Sequence, residues 1–208
     1  IIYASDPQLD LKLNKQIQDI CDSNLTKQLP KKEIQKFSVY LANSLNNIGI
    51  IYKYQDNYDK ALDYYTRSLK IFEEIGDKRG IANSLNNIGI IYKDQGDLAK
   101  AIDYYTRSLK INKELGNKQW MAKSLNNIGN IYQEQGDLAK ALENSTKALS
   151  IAQEIGNVKQ IKSASKSLWK INKKLGKHHK ALEMHELYIQ MRDSILSIEN
   201  KTATIHLG

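Results

Sequence analysis

Eight lysines stand between Glu154 and Glu183 with no acidic residue among them: Lys159, Lys162, Lys166, Lys170, Lys173, Lys174, Lys177 and Lys180. The chain carries 31 basic and 23 acidic residues, so this stretch holds the whole net charge of +8. Lys162, Lys166, Lys170 and Lys173 are spaced four, four and three apart, which puts them on one face of a helix. Like charges at that spacing destabilise a helix by about 0.2–0.5 kcal/mol per pair. A carboxylate-bearing or phosphorylated ligand would compensate them through charge-assisted hydrogen bonds. The alternative is a solvated lysine face with no ligand. Nucleic acid is a weaker candidate: without arginine or interleaved aromatics the patch offers only nonspecific phosphate attraction.

Other reactive side chains are sparse. His178, His179 and His185 suggest a metal site, but no cysteine or carboxylate completes a ligand set, and His185 falls at a core position of the repeat described below. Cys21 is the single cysteine, which excludes a disulfide framework and leaves a core role for it. No phosphate-binding glycine loop, HExxH, CxxC or nucleophile elbow occurs. The expectation is therefore a non-catalytic chain without cofactor or metal.

The elements that position these residues are repeated. Residues 41–80 and 81–120 agree at 27 of 40 positions without a gap. A third copy, 121–160, keeps SLNNIG, IY, QGDLAKAL and IGN; a fourth, from 161, keeps little beyond LG and KAL. Each copy holds two amphipathic helical patterns, such as Ile81, Leu85, Ile88 and Tyr92 in the second. Gly76, Gly116 and Gly156 are suited to close a helix, and Asp77, Asn117 and Asn157 to cap the next. Two helices joined so tightly form an antiparallel hairpin. A lone hairpin cannot cover its apolar face, so copies must stack. Gly49, Gly89 and Gly129 permit close approach, as do Ala61, Ala101 and Ala141; Tyr52, Tyr92 and Tyr132 fill the space between. Pro30 ends a loop from Asn24, after which a long helix runs to Tyr54; Asp6-Pro7 opens an earlier helix to about Asp22.

The spacing L-x2-I-G-x2-Y, then alanine nine residues after the tyrosine, then an aromatic and a small residue, resembles the tetratricopeptide repeat. The forty-residue period is similar to the family's longer-helix subclass. The resemblance covers 41–188 and weakens in the fourth copy, where Trp169, Asn172, His185 and Tyr188 replace the glycine, tyrosine, aromatic and small residue. It implies an all-α fold, a right-handed α-α superhelix (a tetratricopeptide solenoid) of about nine helices. The domain reading is a single solenoid over 1–208: an N-terminal capping helix, loop and start of the first long helix in 1–40, three repeats in 41–160, and a degenerate repeat with a long capping helix in 161–208.

By the same resemblance, first helices line a concave surface, and their outward residues are Asn43, Asn46 and Ile50; Asn83, Asn86 and Ile90; Lys123, Asn126 and Asn130. The four lysines Lys162, Lys166, Lys170 and Lys173 are placed on that face as well. Asn46, Asn86 and Asn126 form a ladder whose amides, donor and acceptor at once, suit the backbone of an extended peptide. The alternative is that these amides tie helices together inside the stack, a role that Asn47, Asn87 and Asn127 suit better beside the buried isoleucine.

The flanks YASDPQLDLKLNKQIQDICDSNL and ALEMHELYIQMRDSILSIEN resemble segments bracketing such arrays in bacterial signalling proteins. Those arrays often precede a membrane helix and a histidine kinase, cyclase or DNA-binding output module. The expectation is a protein or peptide partner, acidic or phosphate-bearing, sensed by the input region of a larger protein. The alternative is an intracellular peptide-responsive regulator. The compartment is periplasmic in the first case and cytoplasmic in the second. No run of 18 apolar residues spans a bilayer. Tyr188, Ile189, Ile195, Leu196 and Ile198 continue an apolar stripe that caps the array or offers a seam for self-association.

Overall fold

The computed structural model describes Lys15 and residues 30–205. The helix expected over 6–22, the start of the following loop and Cys21 lie outside the described residues apart from Lys15 itself. Among the described residues there are eight helices and no strand: α1 (Lys31–Tyr54), α2 (Tyr58–Ile75), α3 (Lys78–Asp94), α4 (Leu98–Glu114), α5 (Lys118–Glu134), α6 (Leu138–Glu154), α7 (Val158–Lys174) and α8 (His178–Ile205). Each forty-residue copy supplies one pair, α1/α2 through α7/α8.

The helix ends obey local chemistry. Gly76 takes φ 70°, a left-handed conformation that terminates α2 at no side-chain cost. Asp77 then accepts from the backbone N–H groups of Arg79 and Gly80, and α3 begins. Asn57, Asp97, Asn117, Asp137 and Asn157 each accept from the N–H three residues on. A cap of this kind contributes about 0.5–2 kcal/mol.

The chain divides into two compact units, the first ending at Ile111 within α4 and the second starting at Asn112. In the first, Ala61, Tyr65, Leu69, Leu85, Ile88 and Ile91 form a buried cluster, with Tyr52, Leu62, Tyr92 and Tyr104 packed around it. Glycine makes this closeness feasible: a Cβ on Gly49 would stand 2.5 Å from the Tyr65 ring, and one on Gly89 2.9 Å from Tyr105. Tyr52 stacks on Tyr64 and Tyr92 on Tyr104, both with ring centroids 5.4 Å apart. The ammonium of Lys60 lies 5.0 Å over Tyr52, and that of Lys100 4.9 Å over Tyr92.

In the second unit, α5 to α8 bury Leu125, Ile128, Ile131, Leu168 and Ile171. Here Gly129 faces Ser145 where the first unit sets glycine against tyrosine. The fourth copy reverses the sizes. Trp169 takes the glycine position and packs on His185, centroids 4.3 Å apart, and on Tyr188 at 6.3 Å. Along α8, Ile195 is buried while Leu182, Leu196 and Ile198 are exposed.

Candidate partner-binding surface

A helix packed on its hairpin mate and on the neighbouring copy keeps one narrow exposed stripe. On α1 that stripe runs through Asn43, Asn47, Ile50 and Tyr54, all exposed, at intervals of four, three and four. On α3 the same positions are Asn83, Asn87 and Ile90, half-buried. In the second unit α5 presents Lys123, Asn127 and Asn130. The Lys123 ammonium lies 4.3 Å over the Trp120 ring, and Asn130 accepts from the Ser167 hydroxyl at 2.7 Å.

The ladder of Asn46, Asn86 and Asn126 is not on this stripe. These residues are 3%, 0% and 4% exposed. Asn46 donates from Nδ2 to Ser84 Oγ at 3.1 Å, and its Oδ1 lies 3.3 Å from the same hydroxyl as acceptor. Ser84 in turn lies 3.3 Å from Ser68, which donates to the Ala42 carbonyl. Asn126 donates to Ser163 at 3.0 Å. The Asn46 and Asn126 amides therefore bind one copy to the next, whereas both ends of the buried Asn86 amide have no partner among the described residues. One residue is about 100° of helix rotation, and that is enough to turn a side chain from the stripe into the seam. The residues set aside for the structural role, Asn47, Asn87 and Asn127, occupy the stripe instead. The 43-47-50 spacing was the signal for them.

The lysine face needs the same correction. In the forty-residue frame Lys162 and Lys166 match Ala42 and Asn46, Ala82 and Asn86, and Ala122 and Asn126, all buried. Their register places them on the seam side rather than on the stripe, and among the described residues no further first helix follows α8 to cover them. Lys166 is exposed, with its ammonium 5.8 Å over the Tyr188 ring. Lys170 continues the stripe position of Ile50, Ile90 and Asn130. Among the described residues none of Lys162, Lys166, Lys170 and Lys173 is in an ion pair, whereas Lys53, Lys100 and Lys140 pair with Asp94, Asp97 and Asp137.

Among the described residues no three His, Cys, Asp or Glu side chains converge as metal ligands, and no helix is long and apolar enough to cross a membrane.

This architecture has relatives. The family model described as tetratricopeptide repeat matches residues 40–114 and 120–194. The chain belongs to the tetratricopeptide repeat family. Its fold is that family's all-α solenoid of helical hairpins, and its functional class is a protein-interaction scaffold. BtubC from P. vanneervenii is similar in structure, with TM-score 0.67 and 21% identity over 91% of this chain and 84% of that one. The apo form of RapI is similar as well, with TM-score 0.69 and 19% identity over 90% of this chain and 50% of that one. This tetratricopeptide chain thus spans half the length of RapI. No curated protein sequence matches it.

Proposed function

We propose that the chain is a non-catalytic peptide- or protein-binding scaffold, the partner-sensing region of a larger bacterial signalling protein. The observation that carries the reading is a stripe of amides that recurs at a forty-residue interval: Asn43 and Asn47, exposed on α1, then Asn83 and Asn87, half-buried on α3, beside the apolar Ile50 and Ile90. An extended peptide needs donors and acceptors in alternation along its backbone, and primary amides supply both. The unpaired ammonium groups of Lys166, Lys170 and Lys173 suit an acidic or phosphate-bearing partner in the second unit.

Partner capture from the native host, followed by isothermal titration with the captured partner, tests this. Asn43→Ala with Asn83→Ala is expected to weaken binding about tenfold to a hundredfold, the loss for two hydrogen bonds at an interface. Lys166→Glu with Lys170→Glu is expected to weaken it further and to flatten its salt dependence. Unchanged affinity in both pairs would remove the stripe and the lysines from the site.

A further inference from the structure

The fourth hairpin departs at two positions that hold a stacked pair of rings in the first two copies. In the first unit Tyr92 and Leu62 pack against the cluster that includes Leu69 and Ile88, and Tyr92 stacks on Tyr104 and lies beneath the Lys100 ammonium. Eighty residues on, the frame keeps the apolar walls as Leu142, Leu149 and Leu168, and keeps the cation as Lys180. The two tyrosines, however, have become Asn172 and Met184. Those five side chains and Lys180 line a cavity of about 240 Å³, with Lys177, Glu183 and Thr146 completing it. The volume is below the roughly 300–1,000 Å³ of sites for drug-sized ligands and suits one ring-sized group.

Two further observations define the ligand. Asn172 is 3% exposed, and its Nδ2 donates to the Leu168 carbonyl at 2.8 Å, which fixes the orientation of the amide. Its Oδ1 has no partner. A buried acceptor left unpaired is costly, so an occupant bearing a donor gains from entering. The cation is also differently placed. Lys100 is held by Asp97 at 2.8 Å, but the residue matching Asp97 is Lys177. Lys180 thus lacks that acid and is left to a ring face, which attracts an ammonium. Met184 adds a polarizable sulfur that favours aromatic contact.

We infer that this cavity binds a phenolic ring, entering hydroxyl first. The O–H donates to Asn172 Oδ1, the ring packs among the three leucines and Met184, and Lys180 takes the place over it that Lys100 holds over Tyr92. No residue of the amide stripe lines the cavity, so this site stands independently of the scaffold reading.

Titration of the chain with p-cresol, followed by NMR of the Asn172 side-chain amide and the Met184 methyl, is expected to give saturable shifts. Toluene, the same ring without the donor, is expected to bind about tenfold more weakly. Asn172→Tyr restores the residue that the first three copies carry; it is expected to abolish p-cresol binding and raise the melting midpoint. Asn172→Leu keeps the walls and is expected to erase the preference for p-cresol over toluene. A capped tyrosine peptide that moves the same signals assigns the ring to a partner's side chain; binding of p-cresol alone assigns it to a free phenol. Unchanged signals at millimolar p-cresol, or equal binding by Asn172→Tyr, would overturn the site.

Discussion

Asn46 in the first unit and Asn126 in the second hold the same position in the repeat, yet their surroundings differ. Asn46 has both ends of its amide on Ser84. Asn126 has Nδ2 on Ser163 while its Oδ1 has no partner. The cause is one residue: the position of Ser84 is Ala164 in the fourth copy, and the hydroxyl is supplied one place earlier. The same contrast recurs in the aromatic layer, where Tyr65 fills the space over Gly49 but His185 shares its site with Trp169. Asn86, at the same position in the second copy, has a partner at neither end of its amide among the described residues, so the joint closed around Asn46 is not repeated along the chain. The last described copy carries the excess charge.

The contrast breaks most visibly at the aromatic layer. Tyr65→Ala is expected to cost about 3–5 kcal/mol in urea unfolding, since the ring is 1% exposed in a closed core. His185→Ala, at the half-buried equivalent, is expected to cost about 1 kcal/mol or less. Equal costs would mean the fourth copy is packed as tightly as the first.

The seam gives a smaller effect. Ser84→Ala strands a buried amide and is expected to cost about 1–3 kcal/mol. Ser163→Ala removes one bond from an amide already half unpaired, and about 1 kcal/mol is expected. Chemical denaturation of both variants measures the difference, and a reversed order would refute the ranking.

The smallest effect is in the caps. The Lys100 ammonium, and then its backbone N–H, hold the Asp97 carboxyl below its ordinary range; the Lys140 backbone N–H, and then its ammonium, do so for Asp137. A carboxylate depressed in the folded state stabilises above its unfolded pKa, and that contribution is lost as pH falls through the folded value. Melting midpoints scanned from neutral to acid pH should therefore fall less steeply in Asp97→Asn and Asp137→Asn. Lys177→Asp should add acid sensitivity at the junction that lacks the carboxylate. Parallel curves for all variants would show that the caps do not titrate with folding.

Much of the fold was legible in the residues. Glycine followed by Asp or Asn marked each junction between copies, and the stripe of Leu85, Ile88 and Tyr92 marked a buried face. The surface was harder to read. A helix in this architecture meets its hairpin mate on one side and the next copy on another, so a polar side chain serves equally in a seam or in the open. Asn46 and Asn47 are adjacent and identical in type, and it is the hydroxyl of Ser84, 38 residues away, that fixes Asn46 in the seam. The lysines misled for the same reason, because their spacing reports a shared face but not which face it is.

The bond between Asn46 and Ser84 also bears on how such a chain grows. The amide lies on the trailing side of one copy and the hydroxyl on the leading side of the next. A duplicated segment therefore carries both side chains of the joint, although Asn86 and Ser124, the same residues one copy on, have no partner among the described residues. Lengthening by forty residues thus copies the two side chains, and their alignment decides whether the joint closes.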